Sequence, residues 1–65
     1  MSRPQVEFED SEAIKESDDA LLVVIEGAEV WIPKSQITDD SEVYKFGHTG
    51  TLVITEFIAI EKGLV

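Results

Sequence analysis

The stretch Ala20–Ile37, ALLVVIEGAEVWIPKSQI, decides the fold of this chain. Ala20 to Glu26 is β-rich and apolar on both faces, which is typical of a central strand or of a strand covered by a helix. Gly27 predicts a tight turn of type II′ with the glycine at its first central position. The chain then returns antiparallel through Trp31, and Pro33 ends the pairing because it has no amide hydrogen.

Upstream of this stretch, the sequence predicts one more strand. Val6 and Phe8 alternate with glutamates, and this period of two is typical of a strand with one solvated face. Asp10-Ser11-Glu12 interrupts the pattern as a turn or as a bulge, and the even spacing onward to Ile14 favours one continuous strand. Residues 1–4 are expected to be frayed.

Downstream, the period changes from that of strands to that of a helix. Lys34-Ser35-Gln36 predicts a single turn, and residues 43–46 and 51–55 predict two strands joined by a hairpin loop at Gly47–Gly50. Thr55 suits a helix N-cap and Gly63 the residue after the C-cap. We therefore predict a mainly β single domain over residues 1–65. Its fold would be a five-stranded antiparallel meander curled into a small SH3-like barrel, with one short C-terminal helix covering the sheet.

Composition excludes several classes of protein. The chain has 65 residues, 14 acidic and 5 basic, with a net charge of −9 and no cysteine. A disulfide framework and a thiolate zinc site are therefore excluded. No segment approaches the roughly 20 apolar residues of a membrane span, and the N-terminus lacks the apolar core of a signal peptide. We expect a cytoplasmic protein whose charge disfavours nucleic acid and anionic membranes.

Two blocks of the sequence are similar to a known group of proteins. ALLVVIEGAEVWIPKSQI and GTLVITEFIAIEKGL resemble short, largely uncharacterised bacterial and phage proteins with a V-W-I-P-K-S-Q-I motif and a C-terminal E-[WF]-x-A-x-x-K-G-L helix. The resemblance covers a little over half the chain. It departs at Phe57, where tryptophan is commoner, and at Ile60, where a polar residue is usual. It implies a phage or mobile-element setting in a bacterial host, and it implies no activity and no site residues.

Ten of the fourteen acidic residues fall into two groups, at positions 7–19 and 39–42. In a meander, the turn at residues 16–19 and the loop at residues 38–41 would lie at one end of the sheet and form one anionic surface. Such a surface imitates the closely spaced phosphates of DNA; the alternative is a solvated face that prevents edge pairing between sheets. The predicted partner-binding residues are Asp10, Glu12, Glu16, Asp18, Asp19, Asp39, Asp40 and Glu42.

Three further residues are possible secondary contacts: Trp31, Lys34 and Gln36. We expect Trp31 to pack beneath the C-terminal helix; alternatively it is an exposed anchor, since tryptophan is enriched at binding hot spots, or it forms a stacking platform with Tyr44. Lys34 to Gln36 form either a recognition turn or a turn whose side chains bind backbone groups.

No catalytic, metal-binding or cofactor-binding pattern is present. His48 is the only histidine, and a general base also needs a placed carboxylate or nucleophile. We predict a protein that is not an enzyme and that uses neither metal nor cofactor.

The sequence therefore favours a binding protein. The leading hypothesis is an inhibitor like a DNA mimic or an anti-CRISPR protein, which occludes a basic surface of a nucleic-acid-binding host protein. One alternative is a small SH3-like module that binds nucleic acid through Trp31 and Tyr44. Another is a structural oligomerisation module, for example a homodimer.

Overall fold

The computed structural model describes residues 4–65. Four strands, a one-turn 3₁₀ helix and an α-helix make up the fold. The elements are β1 (Gln5–Glu16), β2 (Ala20–Ile25), β3 (Ala28–Pro33), the 3₁₀ helix (Lys34–Gln36), β4 (Thr49–Thr55) and α1 (Glu56–Glu61). The strands form one antiparallel sheet in the order β3-β2-β1-β4. The predicted fraying of residues 1–4 falls mainly outside the described residues. Pro4 is described, and its carbonyl accepts the Glu56 amide at 3.0 Å.

The first strand is continuous, as predicted, and it pairs with both β2 and β4. Its register against β4 shifts between Phe8 and Ser11, where Asp10 has a φ of 56°. A residue in this left-handed conformation is typical of a β-bulge. Before the bulge the even-numbered residue Phe8 is buried, and after it the odd-numbered residues Ser11 and Ala13 are buried. The expectation that Ile14 continues the face of Phe8 is therefore wrong.

The turn between β2 and β3 has the predicted length but lies one residue earlier in the chain. Ile25 pairs with Ala28, so only Glu26 and Gly27 lie in the turn. Both have positive φ, 51° and 83°, which is the signature of a type I′ turn rather than the predicted type II′ turn. Gly27 stands at the second central position.

The predicted fifth strand at residues 43–46 is wrong, and among residues 4–65 the strands number four. Val43 is fully buried, whereas Tyr44 to Phe46 are exposed. The backbone of this loop has other partners, because Gly47 and His48 exchange hydrogen bonds with Ala13 of β1 at 3.0 and 2.9 Å.

The turn after β3 brings the chain to the second edge of β4. Lys34–Gln36 form the predicted single turn, and Ile37 then makes a β-bridge with Ile54. Thr38 and Glu42 donate their amides to the carbonyls of Val53 and Thr51 at 3.0 and 2.9 Å. Both edges of β4 are therefore occupied.

The helix has the predicted ends. The Thr55 hydroxyl accepts the Ile58 amide at 3.4 Å as the N-cap. Gly63, with a φ of 73°, follows the C-cap, and the amides of Gly63 and Leu64 bind the carbonyls of Ile60 and Ala59. These two hydrogen bonds form a Schellman motif, in which glycine satisfies the left-handed position.

The core lies between the inner face of the sheet, the loop before β4 and the helix. Its buried apolar side chains come from every strand and include Phe8, Ala13, Leu21, Val23, Ile25, Ile32, Val43, Leu52, Ile54, Ile58 and Ala59. The part of the chain described here contains no helix that is long and apolar enough to cross a membrane.

Candidate functional site

The carboxylates lie on the surface. All fourteen acidic residues are in the described part of the chain, and each is exposed. Within residues 4–65 there is one salt bridge, between Glu16 and Lys34. Most of the charge of −9 is therefore presented to solvent without a fixed counter-ion among residues 4–65.

Glu16 is the most constrained of the predicted partner-binding acids. Its Oε2 accepts Lys34 Nζ at 2.6 Å, and its Oε1 accepts the Phe46 amide at 2.9 Å. The hydrogen bond from Lys34, followed by that from the Phe46 amide, lowers the pKa of the Glu16 carboxyl from its ordinary value of 4.5. Two of the predicted contact residues, Glu16 and Lys34, therefore bind each other.

Two more of the predicted acids have contacts within the fold. Glu42 Oε1 accepts the Thr51 amide at 2.9 Å, and Asp40 Oδ2 accepts the side-chain amide of Gln5 at 3.1 Å. The other five have no side-chain hydrogen bond to the described residues: Asp10, Glu12, Asp18, Asp19 and Asp39. The carboxylates of this second set are therefore not engaged in side-chain contacts within residues 4–65.

The fold distributes these acids over several places. Asp18 lines one groove beside the Glu16–Lys34 pair, and Asp39 lines a second groove that shares Lys34. Asp10 lies elsewhere, in a concavity that also contains Glu26 of the β2–β3 turn. The two predicted acidic groups thus approach each other at Lys34, while Asp10 is set apart.

Trp31 does not pack beneath the helix, so that expectation is wrong. Its side chain is 43% exposed and lines a groove of about 740 Å³ with Ile14 and Phe46. The helix packs against β4 and β1 instead. The register explains the position of Trp31, because it pairs with Leu22 on the outer face of the sheet, opposite the inner-facing Ile32.

The remaining secondary residues differ in their contacts. Gln36 Oε1 accepts the hydroxyl of Thr55 at 2.6 Å, so this side chain braces the start of the helix. Tyr44 is exposed and lies edge-to-face with His48, with ring centroids 4.5 Å apart. Trp31 and Tyr44 line separate grooves on either side of Lys34.

The described residues contain no group of three His, Cys, Asp or Glu side chains that could hold a metal ion. His48 Nδ1 accepts the Tyr44 amide at 3.4 Å and thereby closes its own loop. The arrangement offers charge, aromatic surface and hydrogen-bond acceptors, which are properties of a binding surface.

Sequence reasoning missed two residues of this region. The alternating pattern predicts a strand at Phe46, yet Phe46 is exposed and lines the groove with Trp31. The sequence predicts that Ser41 belongs to an acidic loop, yet Ser41 is buried. Its hydroxyl accepts the amides of Val43 and Val53 and donates to the carbonyl of Val43. No local pattern marks either residue, since both roles depend on contacts across the fold.

Comparison with known proteins gives no relative: no family model, no curated protein and no solved structure matches this chain.

Proposed function

We propose that this is a non-enzymatic acidic binding protein that covers a basic, nucleic-acid-binding surface of another protein. The observation that carries the proposal is the exposure of all fourteen carboxylates with one salt bridge among residues 4–65. Carboxylates displayed in this way compete with phosphates for the same lysines and arginines. Association driven by such charge is fast and sensitive to salt.

The proposed setting is that of an inhibitor encoded by a phage or mobile element, acting in the cytoplasm of the bacterial host. The resemblance of the VWIPKSQI and C-terminal blocks to phage proteins supports this setting. A nucleic-acid-handling defence system, such as CRISPR interference or restriction, is the proposed target. The proposed fold within this function is a small SH3-like barrel, supported by the bent β1 that pairs with both β2 and β4 and by the contacts of residues 37–42 with β4.

The eight predicted acids are proposed as the contact set, and the structure suggests an order among them. Asp18 and Asp39 line grooves that include Lys34, and the Asp19 carbonyl accepts the Lys34 amide at 2.8 Å. None of the three has a side-chain hydrogen bond to the described residues. We place them ahead of Glu16, Asp40 and Glu42, whose carboxylates have contacts within the fold. Asp10 and Glu12 complete the set, with Trp31, Lys34 and Gln36 as secondary contacts.

The proposal is tested by capture and competition. The tagged protein is incubated with bacterial lysate at low and moderate salt, and a captured protein is purified with a labelled DNA or RNA duplex that it binds. We expect the protein to displace the duplex, and the displacement to weaken as salt increases. Capture of no nucleic-acid-binding protein, or capture without displacement, would contradict the proposal.

Charge-reversal variants then locate the contact. Asp18→Lys/Asp19→Lys and Asp39→Lys/Asp40→Lys change the net charge by the same amount and alter different loops. A larger loss of displacement in one variant assigns the contact to that loop. If both variants displace the duplex at low salt as well as the unaltered protein does, the predicted contact set is contradicted.

A second candidate function is nucleic-acid binding through Trp31 and Tyr44, both of which are exposed. Lys34 lies between their grooves but is paired with Glu16, so the local charge does not favour phosphate. Titration of Trp31 fluorescence with a single-stranded oligonucleotide at low salt tests this candidate, and an unchanged signal would contradict it.

A third candidate is self-association. Phe57 and Ile60 are exposed on α1 and line one groove with Pro4 and Gln36. Sedimentation velocity at two concentrations tests it, because a homodimer would show a mass that increases with concentration.

A further inference from the structure

Two exposed aromatic side chains line one shallow groove on the outer side of the sheet. Trp31 comes from β3 and Phe46 from the loop before β4, and Ile14 of β1 lies between these segments in the same lining. Trp31 is 43% and Phe46 is 64% exposed. Large aromatic side chains left in solvent on two separate segments are typical of a recognition surface.

The sheet places an apolar side chain beside Trp31. Leu22 pairs directly with Trp31 on one side and with Lys15 on the other. Leu22 is buried although its side chain lies on the outer face of the sheet, on the side opposite to the core. A buried apolar side chain therefore lies beside Trp31 in the neighbouring strand and adds to the apolar character of this face of the sheet.

The charge inside the groove is already balanced. Lys34 lines the groove, but its ammonium is held by Glu16 at 2.6 Å. Glu16 is held in turn by the Phe46 amide, so this ion pair also positions the backbone that carries one wall of the groove. An uncharged side chain is therefore the best match for the middle of the groove.

The margins of the groove are acidic. Asp18 and Lys15 both line the groove. Glu29 stands two residues before Trp31 on the same face of β3, and it pairs with Val24, whose other neighbour is Glu12. Within residues 4–65 these three carboxylates have no salt bridge. Around the apolar centre, Lys15 and these three carboxylates thus lie without a salt bridge to the described residues.

We propose that the groove between Trp31 and Phe46 binds a peptide segment of the partner that has an apolar side chain flanked by lysines or arginines. The apolar side chain lies between the two aromatic rings. The flanking cations pair with Asp18 at one margin and with Glu29 and Glu12 at the other. This inference rests on the proposed function, and it names the place and the chemistry of the contact.

Charge complementarity favours this occupant over others. A nucleic acid would bring phosphates against the three carboxylates and a net charge of −9. A second copy of the chain would bring the same acids to the same margins. A basic peptide places opposite charges there, and the aromatic centre provides the buried anchor that binding surfaces require.

Trp31 is the only tryptophan of the chain, so its fluorescence reports on the groove directly. The probe is a synthetic peptide with a central Leu-Pro-Leu flanked on both sides by lysines and arginines, free of tryptophan. We expect a saturable change of Trp31 fluorescence with this peptide. A matched peptide with a central Ser-Gly-Ser, and one with glutamates as flanks, should bind at least about tenfold more weakly.

Two phenylalanines provide a matched pair of variants. Phe46 and Phe57 are 64% and 66% exposed, and Phe57 lies on α1, away from the groove. Phe46→Ala should weaken peptide binding roughly tenfold, and Phe57→Ala should leave it unchanged. Asp18→Lys and Glu61→Lys form a second pair with equal change of charge, in which only the first should weaken binding. Circular dichroism confirms that each variant is folded.

Several results would overturn the inference. One is a fluorescence change with the basic peptide that is absent or does not saturate. Another is a loss of peptide binding in Phe57→Ala that equals the loss in Phe46→Ala. A third is a larger change of Trp31 fluorescence with a single-stranded oligonucleotide than with the basic peptide. A shift of Trp31 fluorescence with protein concentration alone would indicate self-association through the groove and would also overturn it.

The inference and the proposed function can fail separately. If Phe46→Ala still displaces the duplex from a captured partner as the unaltered protein does, the groove inference fails and the proposed function stands. If the unaltered protein displaces no duplex from any captured partner, the proposed function fails.

Discussion

The Lys34 ammonium lies 2.6 Å from Oε2 of Glu16, whose other carboxylate oxygen accepts the Phe46 amide at 2.9 Å. One carboxylate thus joins the end of β1, the 3₁₀ turn after β3 and the loop before β4. These three segments are far apart in the chain and meet beside the groove that Trp31 lines. Glu16 therefore holds these segments together, and its role as a partner contact stays a prediction.

Replacement of Glu16 should loosen these three segments. Glu16→Gln keeps an acceptor for the Phe46 amide and removes the charge that holds Lys34. We expect the melting temperature to fall by a few degrees, since an exposed ion pair contributes modestly to stability. Glu12→Gln is the control, because Glu12 is exposed on the same strand and lacks a salt bridge within residues 4–65. Equal melting temperatures of the two variants would contradict the structural role of Glu16.

The pH dependence of this contact follows from the lowered pKa of Glu16. Hydrogen bonds from Lys34 and from the Phe46 amide lower the pKa below its ordinary value of 4.5. A carboxyl whose pKa is lower in the folded state stabilises the fold above the unfolded value and loses this contribution as pH falls through the folded value. The difference in melting temperature between the unaltered protein and Glu16→Gln should therefore be largest near neutral pH. It should disappear in acid, at pH values below 4.5. A difference that persists unchanged into strong acid would show that the charge of Glu16 is not its cause.

Local chemistry explains which parts of the fold were predictable from sequence. The hairpin at Gly27 and the helix ends at Thr55 and Gly63 depend on residues within a few positions of each other. The loop at residues 43–46 does not, because the Phe46 amide binds a carboxylate thirty positions away. Its alternating pattern therefore predicted a strand that the fold does not form.

The candidate site was predictable only in part for the same reason. The acidic composition predicts exposed carboxylates, and each acid is exposed. The position of Trp31 depends on which element covers the outer face of the sheet, and no local signal shows that α1 packs on β4 and β1. The bulge at Asp10-Ser11-Glu12 was one of the two predicted interpretations, but its effect on the face of Ile14 was not predictable, because no glycine marks the positive φ of Asp10.

Loss of the Ser41 hydroxyl should destabilise the fold. Ser41 is buried, and its oxygen accepts the amides of Val43 and Val53 at 3.2 and 3.0 Å. Ser41→Ala leaves both amides without this acceptor, and a buried unpaired donor costs about 1–3 kcal/mol. Chemical denaturation measures the loss, and hydrogen exchange should be faster at Val53. Ser35→Ala, on an exposed serine, should be close to neutral; an equal effect of both would contradict the assigned role of Ser41.

Two isoleucines should differ sharply when truncated. Ile32 is fully buried in β3, whereas Ile60 is exposed on α1. Ile32→Ala removes buried methyl groups and leaves a cavity, at a cost of about 2–5 kcal/mol. Such a loss is a large fraction of the stability of a small domain. Ile60→Ala should change the denaturation midpoint little, and it should abolish self-association if the exposed face of α1 is a dimer contact.

The β2–β3 turn offers a substitution that should stabilise the protein. Glu26 has a φ of 51°, a left-handed conformation that is unfavourable for most L-residues. Asparagine adopts this conformation more readily, and Asn-Gly is a preferred pair in type I′ turns. Glu26→Asn should therefore increase the free energy of unfolding by a few tenths to about 1 kcal/mol. Glu7→Asn removes the same charge from β1, where asparagine is disfavoured, and should be neutral or slightly destabilising. Chemical denaturation of both variants distinguishes the turn from a general effect of charge, because stabilisation by both would assign the gain to reduced repulsion among the acids.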